Sequence, residues 1–250
     1  MKIYVVSLER SSERRERITK HLSGLGVAFE FFSAVDGRVE KTPGYDDEQR
    51  IKEKGHSLTL GERGCFASHR ALWEKCILLK EPMLILEDDV DFSDAFINCL
   101  KGLDEVVSRY SYVRLGRGSL KTIPIFGAHY SMQHLDGVNG HAVVKYLRGP
   151  SCCHGYALSP AAAEKFLNHS DAWWWPVDDY MDSESIHCVF DYGIEPPLVL
   201  QTDLPSEIGY LERENKGRRT LIARARKELY RVKSDVSGYI FNFKFFFSRK

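Results

Sequence analysis

The stretch Met83-Leu84-Ile85-Leu86-Glu87-Asp88-Asp89-Val90 decides the fold, because four apolar residues run directly into three consecutive carboxylates. A short apolar run that follows a proline is typical of a buried strand in a parallel sheet. Three adjacent acids cannot all be buried without partners, since each unpaired charge is costly. In open α/β sheets, ligands bind at this end of the strands. The stretch therefore predicts a site for Mg²⁺ or Mn²⁺ and a diphosphate, with a solvated acidic turn as the alternative.

The charge distribution indicates an anionic partner for one end of the chain. The 250 residues have a formal net charge of zero. Residues 213–250 nevertheless contain twelve Lys/Arg and three Asp/Glu, a net of +9, so the other 212 residues carry −9. An acidic body with a basic tail is typical of attachment to an anionic surface. No secretory signal and no membrane-spanning stretch is recognisable, which predicts a cytoplasmic protein.

The cysteines do not predict a metal site. None of the six forms a C-x-x-C pair, and two of them are adjacent, so their spacing argues against zinc. In a chain without a recognisable export signal, reduced thiols are expected. The six are Cys65, Cys76, Cys99, Cys152, Cys153 and Cys188.

Strand and helix patterns alternate along the chain, which predicts an α/β protein with a parallel sheet. Residues 38–58 are polar and rich in charge, and we expect a mobile excursion there. A basic helix is expected over 218–233, followed by an aromatic run over 239–247. The other expected strands are 2–8, 29–34, 83–87, 112–115, 142–147, 155–159 and 197–201, and the other helices are 12–25, 61–79, 93–108 and 160–167.

Six blocks in chain order form a more specific pattern than any one motif. They are VSLERSSERR (6–15), FSAVDG (32–37), LTLGERGCFASH (58–69), LILEDDV (84–90), GYALS (155–159) and PVD (176–178). Together they resemble glycosyltransferase family 25, the lipopolysaccharide and lipooligosaccharide galactosyltransferases. Two positions depart from the family pattern: Ser7 replaces the usual Asn, and Arg63 replaces an aliphatic residue. Neither departure removes a carboxylate.

The resemblance implies a GT-A-like, Rossmann-type mixed sheet flanked by helices over residues 1–212, with residues 213–250 as a basic aromatic tail outside it. It also implies an inverting enzyme that moves a hexose, galactose first, from a UDP-sugar donor to a lipid-linked oligosaccharide of lipopolysaccharide or lipooligosaccharide. A catalytically silent nucleotide- or glycan-binding protein that kept the fold is the alternative.

Site roles follow from the resemblance. Asp89 is the expected ligand of Mn²⁺ or Mg²⁺, an ion that neutralises the departing diphosphate. The alternative to a donor-binding role is an ordinary Asp-Gly turn for Asp36 and a structural position in the core for His69. The expected donor-binding residues are Ser7, Leu8, Arg10, Ala34, Asp36, Ser68, His69, Glu87 and Asp88.

A carboxylate must serve as general base for inversion by direct displacement. Asp178 is the first candidate and Asp179 the second, while helix capping is the alternative role for Asp178. Trp173, Trp174 and Tyr156 are candidates for the acceptor side, although large aromatic residues belong more often to the core.

The tail combines cations with aromatic residues, as membrane-surface anchors do. A helix docked on the acidic body and a nucleic-acid arm are the alternatives. The acidic body argues against nucleic acid. We therefore expect a protein on the inner face of the cytoplasmic membrane.

Overall fold

A computed structural model describes residues 1–118, 132–202 and 221–247 of the chain. These ranges contain an eight-stranded sheet, a two-stranded sheet, and helices on both faces of the larger sheet. The strands are β1 (Lys2–Ser7), β2 (Glu30–Ser33), β3 (Met83–Glu87), β4 (Val90–Phe92), β5 (Tyr112–Arg114), β6 (Met132–Val138), β7 (His141–Tyr146), β8 (Gly155–Leu158), β9 (Tyr192–Glu195) and β10 (Val199–Gln201).

Helices fill most of the connections between these strands. In the described ranges they are α1 (Ser12–Gly24), α2 (Asp47–Lys54), α3 (Leu60–Leu79), α4 (Phe96–Leu100), α5 (Leu103–Tyr110), α6 (Pro160–Asn168), α7 (Val177–Met181), α8 (Glu184–His187) and α9 (Leu221–Phe247).

The large sheet is mixed, with the strand order β2-β1-β3-β8-β5-β9-β7-β6. The strands β2, β1 and β3 are parallel to one another. Strand β8 is antiparallel to both β3 and β5, and the pairs β9–β7 and β7–β6 are also antiparallel. The expected α/β fold with a mixed, helix-flanked sheet is confirmed, and the parallel arrangement holds for the first three strands and for the pair β5–β9.

Alternation along the strands separates two cores. In β3, Leu84 and Leu86 pack on the face covered by α1, α4 and α5, whereas Met83 and Ile85 pack on the opposite face with α3, α6 and α7. Because successive side chains of a strand point to opposite faces, a continuous apolar run is what a strand covered on both sides requires. This explains why the deciding stretch contains no polar residue before Glu87.

Helix α3 begins with a capping box. The Thr59 hydroxyl accepts a hydrogen bond from the backbone of Glu62, and the Glu62 carboxylate accepts one from the backbone of Thr59. These two bonds satisfy backbone donors that the first turn leaves without helical partners. The start of α3 is therefore fixed locally by the sequence.

The loop after β2 lies directly on α3. A Cβ atom at Gly37 would be 2.1 Å from the Leu60 carbonyl oxygen, and one at Gly64 would be 2.4 Å from the Val35 carbonyl oxygen. The Ser68 hydroxyl accepts a hydrogen bond from the Val35 backbone N–H at 2.8 Å. Only glycine at both positions allows this approach, which fixes the loop at the end of β2.

Several expected elements differ from the observed ones. The mobile excursion expected over 38–58 is wrong for residues 47–54, which form α2. Asp46 caps the N-terminus of this helix, and Gly55 ends it in a left-handed conformation. The helix expected over 93–108 is divided into α4 and α5 near Gly102, and the strands β4, β6 and β9 are not among the expected ones. The predicted boundary at residue 212 lies outside the described residues, as does the segment 119–131.

Helix α9 docks on the body and extends through the aromatic run. Its Asn242 amide donates to the Glu184 carboxylate at 2.9 Å and to the Leu147 carbonyl at 3.2 Å. Glu184 also pairs with the buried Lys145 at 2.7 Å. Tyr230 accepts a hydrogen bond from the Trp175 indole at 2.7 Å. The docked-helix alternative for the tail is therefore observed for α9.

The contact between the loop and α3 gives a stability prediction. Gly64→Ala should destabilise the protein by about 1–3 kcal/mol, because the new methyl group meets a backbone carbonyl. The measurement is the midpoint of urea unfolding. Gly24→Ala is the matched control, since among the described residues nothing beyond its chain neighbours and its own helix backbone lies within 4 Å of its Cβ position, and alanine is the better helix former. Equal midpoints for the two variants would contradict the packing argument.

Candidate functional site

Three parallel strands carry polar residues to one edge of the sheet. Strand β1 ends at Ser7, β2 leads into Ala34–Gly37, and β3 ends at Glu87 with two further acids behind it. The carboxyl ends of neighbouring parallel strands meet at the same edge, where α/β proteins bind ligands. A pocket opens there between α1 and α3.

All ten residues expected to bind the donor or the metal line this pocket. The set consists of Ser7, Leu8, Arg10, Ala34, Asp36, Ser68, His69, Glu87, Asp88 and Asp89, and its other walls include Arg14, Arg38 and Cys65. The structure thus brings together residues from four of the six sequence blocks.

Asp88 is held by protein groups at the base of the pocket. Its side chain is buried and accepts hydrogen bonds from the Ser7 hydroxyl at 2.7 Å and from the Arg14 guanidinium at 2.8 Å. Burial raises the pKa of Asp88, and these two donors oppose that shift. The carboxylate therefore joins β1, β3 and α1 and is engaged by protein.

Asp89 is the acid best suited to a cation. Its Oδ2 lies 3.2 Å from the Arg14 guanidinium, whereas its buried Oδ1 has no hydrogen-bond partner among the described residues. Burial raises the pKa of Asp89 to about 7, with repulsion from Glu87 adding to the shift and Arg14 opposing it. A buried carboxylate oxygen without a donor fits a hard divalent cation.

Glu87 faces the opposite side, towards α3. The Cys153 thiol donates to its Oε1 at 2.9 Å, and His69 Nε2 lies 3.6 Å from the same oxygen. Burial opposes ionisation, but the contacts with His69 and Cys153 lower the pKa of Glu87 overall. Cys65, His69, Glu87 and Cys153 form a cluster in which one potential ligand atom from each residue lies within 4.8 Å of the others.

Some of the pocket residues bind one another. Arg10 forms an ion pair with Asp36, whose carboxylate also accepts from the backbone of Arg38 at 3.1 Å. Ser68 is buried and donates to the Gly64 carbonyl at 2.7 Å while it holds the loop after β2. His69 is fully buried, which is what the alternative role of a core histidine requires.

The two candidate bases lie in different surroundings. Asp178 lies in the first turn of α7, where Pro176 is the cap residue and no side-chain cap forms, so Asp178 is not the N-cap. Burial, with repulsion from Asp179 and Asp182, raises the pKa of Asp178 to about 6. Asp178 also acts electrostatically on Cys153, next to Glu87. Asp179 lines a separate cleft beneath α9, whereas Asp178 lines neither that cleft nor the pocket at the ends of β1, β2 and β3.

The three aromatic residues expected on the acceptor side are buried. Trp173 stacks on Phe66 with ring centroids 4.0 Å apart, and Tyr156 accepts from the Trp73 indole at 3.0 Å. Trp174 packs on Trp175 near α9. All three side chains are buried, as the core alternative expects, and the acceptor role stays a prediction.

Sequence reasoning misses two groups of functional interest, a pair of cysteines and a buried arginine with its acids. Cys65 precedes His69 by one helical turn, a spacing that places both on one face of a helix and is a usable signal. Cys153 lies far away in the chain and gave none. The buried Arg114 guanidinium lies 2.9 Å from Asp182 and 2.7 Å from Asp191, and its sequence context predicts only a strand.

The comparisons with known sequences agree with this geometry. The family described as "Glycosyltransferase family 25 (LPS biosynthesis protein)" matches residues 1–181. A mouse protein named "Inactive glycosyltransferase 25 family member 3" is 31% identical over 179 residues, which cover 66% of this chain and 28% of that protein. Zebrafish procollagen galactosyltransferase 1 is 26% identical over 236 residues, covering 84% of this chain and 37% of that one.

A similar chain was also found among solved structures. A Drosophila β1,4-galactosyltransferase 7 mutant, in complex with manganese, UDP-Gal and xylobiose, superposes with a TM-score of 0.40 at 10% identity, covering 88% of this chain and 80% of that chain. The chain spans only 28% and 37% of the lengths of the two curated relatives above.

The raised pKa of Asp89 gives a prediction with a defined sign. A carboxyl whose pKa is raised on folding destabilises the folded state once it ionises, so Asp89→Asn should melt at a higher temperature than the unaltered protein above pH about 7. The difference should shrink as the pH falls below about 7, because the folded state then takes up the proton. Thermal unfolding over this pH range is the measurement. The control is Asp94→Asn at an exposed position. A variant that melts below the unaltered protein at neutral pH would contradict the assignment.

Proposed function

Because the chain belongs to glycosyltransferase family 25, we propose that it transfers a hexose from a UDP-sugar to a glycan acceptor with inversion. Galactose is the first candidate for the hexose, and a lipopolysaccharide or lipooligosaccharide chain is the proposed acceptor. The observation that carries the proposal is the pocket at the ends of β1, β2 and β3. There, one buried oxygen of Asp89 has no hydrogen-bond donor among the residues that the structure describes.

Asp89 would hold the divalent cation, Mn²⁺ or Mg²⁺, in this proposal. When bound, such an ion supplies Lewis-acid stabilisation of the departing diphosphate. Arg14 already lies between Asp88 and Asp89, and Arg10 and Arg38 line the same wall, so positive charge surrounds the place for the phosphates. Guanidinium groups are the side chains best matched to phosphate oxygens.

The remaining pocket residues form the proposed donor wall. Asp36 is partly exposed and follows β2, in the position from which acids in α/β folds accept from ribose hydroxyls. Ser7, Ala34 and Ser68 act through the backbone and hydroxyl contacts that hold the loop after β2.

Asp178 is the proposed general base that takes the proton from the acceptor hydroxyl. A base with a pKa near 6 is ionised at neutral pH and still accepts a proton readily. The groups around it are Asp179 and Asp182 on the same helix, Arg114 from β5 and Cys153 from the loop before β8. Asp179 faces Lys54 and Tyr230 in the other cleft, which favours Asp178.

A catalytically silent binding protein is the second candidate function. The observation in its favour is the similarity to a mouse relative named as inactive. Asp89 and Asp178, the carboxylates proposed here as the metal ligand and the general base, are both present. Their presence favours the enzyme over the silent protein.

The experiment that tests the function is release of UDP from UDP-galactose and UDP-glucose, each with Mn²⁺ and with EDTA. We expect slow release from one sugar that requires the metal, and a loss of about 10²–10⁴-fold in turnover for Asp178→Asn. Asp179→Asn should change turnover far less, because this residue faces the other cleft.

The pH profile of the same assay supplies the control for the role of Asp178. Turnover should fall as the pH decreases through about 6, since protonation removes the base. Equal effects of the two substitutions would contradict the assignment of the base. Binding of UDP without release under any condition would support the silent alternative.

We propose further that α9 attaches the protein to an anionic membrane surface, with cytoplasmic membrane lipids as the partner. The face of α9 opposite the body is apolar and exposed. Its exposed fractions are Leu229 56%, Val232 53%, Val236 48%, Ile240 58% and Phe243 64%.

Cations accompany this apolar stripe. By helical periodicity, Arg226 and Lys233 lie along one border of it, and α9 as a whole contains six Lys/Arg and two Asp/Glu. An apolar stripe bordered by cations is typical of helices that lie in the membrane interface. Among the described residues, no helix is long and apolar enough to cross a membrane.

Vesicle flotation tests the membrane proposal. The full chain should float with vesicles that contain phosphatidylglycerol and much less with pure phosphatidylcholine, and added salt should weaken the binding. The double substitution Val236→Asp and Ile240→Asp should abolish flotation, whereas Ser237→Asp, at an exposed position off the stripe, should not. Equal flotation of all variants, or a dimer formed through the stripe instead, would contradict the proposal.

A further inference from the structure

Four potential metal ligands meet on the α3 side of β3. Cys65 and His69 come from α3, Glu87 ends β3, and Cys153 lies in the loop before β8. We call these residues the four-ligand cluster. Each offers one atom, and the four atoms lie within 4.8 Å of one another. The cluster is therefore built from three separate parts of the fold that converge on a small volume.

The distances in the cluster are close to those of a tetrahedral site. Zinc bonds of about 2.0–2.3 Å place ligand atoms about 3.3–3.8 Å apart. The distance from His69 Nε2 to Glu87 Oε1 is 3.6 Å, and that from Cys153 Sγ to the same oxygen is 2.9 Å. The Cys65 thiol interacts with both Cys153 and His69. Small side-chain movements would bring all four atoms onto one ion.

The imidazole of His69 provides an independent indication of a ligand. The side chain is fully buried, and its Nε2 has no partner within hydrogen-bond distance among the described residues, Glu87 Oε1 lying 3.6 Å away. The other ring nitrogen, Nδ1, lies 2.7 Å from the Tyr156 hydroxyl, which also accepts from the Trp73 indole at 3.0 Å. A histidine whose second nitrogen is fixed by a hydrogen bond while the first points into a ligand cluster is the usual arrangement at metal sites.

We propose that Cys65, His69, Glu87 and Cys153 bind one divalent cation of the zinc class. Two thiolates and an imidazole select borderline and soft ions, whereas Mg²⁺ and Mn²⁺ prefer oxygen ligands. With four protein ligands the site is closed, as structural zinc sites are. The ion would join α3, the end of β3 and the loop before β8.

This cation is distinct from the one proposed at Asp89. Asp89 faces Arg14, whereas Glu87 faces α3. The zinc-class ion therefore takes no part in the transfer step, and its presence can be measured without any assay of activity.

Metal analysis and cobalt substitution of the full chain test the proposal. Protein prepared with a reductant and without chelator should contain about one zinc per chain. After replacement by Co²⁺, it should show the near-ultraviolet thiolate charge-transfer band and the visible bands of tetrahedral cobalt. Cys65→Ser and Cys153→Ser should each weaken Co²⁺ binding about tenfold or more and reduce the charge-transfer band. Together the two substitutions should abolish the band.

Two matched variants separate this site from the rest of the protein. Cys188→Ser removes an exposed cysteine outside the cluster and should leave the cobalt spectrum unchanged. Asp89→Asn should also leave it unchanged, although it removes the ligand proposed for catalysis. The failure of one metal proposal is thus distinguishable from the failure of the other.

Three results would overturn the proposal. The first is reduced protein that binds neither Zn²⁺ nor Co²⁺. The second is a cobalt spectrum that persists in the double cysteine variant. The third is a Cys65–Cys153 disulfide in the isolated protein together with no metal after reduction.

Discussion

The burial of Asp88 is the constraint on which the arrangement of the site depends. Alternation along β3 directs Leu86 towards the face of the sheet that α1 covers. The same alternation continues past the strand, so that Glu87 points towards α3 and Asp88 towards α1. A buried carboxylate needs strong donors, and Ser7 and Arg14 supply them. Truncation of either donor would leave one buried oxygen of Asp88 without its hydrogen bond, so the ends of β1 and β3 and the start of α1 form one unit.

Much of the fold follows from local pattern, and the exceptions have physical causes. The strand before the acids, the capped helix α3 and the Pro-initiated helix α6 each follow from a local rule on capping, alternation or proline. Helix α2 was missed because its residues are polar, and its place is set by contact with α9, which is distant in the chain. The antiparallel insertion of β8 beside β3 was missed because an apolar strand carries no mark of its direction.

The candidate site shows the same division. Its ten pocket residues were found because they lie in blocks that resemble one family, and each block follows a strand or lies on α3. For Trp173, Trp174 and Tyr156 only the structure shows the burial, because a sequence does not tell a ring that stacks on a sugar from one that fills a core. The spacing rule for cysteine ligands does not bring Cys65 and Cys153 together, because it considers only neighbours in the chain.

The two sides of the acidic triplet pose different problems of metal selection. Zinc binds most mixed sites more tightly than Mn²⁺ does. An open thiolate pair next to the catalytic carboxylate would therefore attract zinc to a place that requires Mn²⁺ or Mg²⁺. A closed site made of Cys65, His69, Glu87 and Cys153 removes that competition, because its thiolates are already engaged. Asp89 offers a carboxylate oxygen beside the Arg14 guanidinium, an environment that favours an ion bound jointly with a phosphate. On this argument, the alternation of β3 that separates Glu87 from its acidic neighbours also separates a structural cation from a catalytic one.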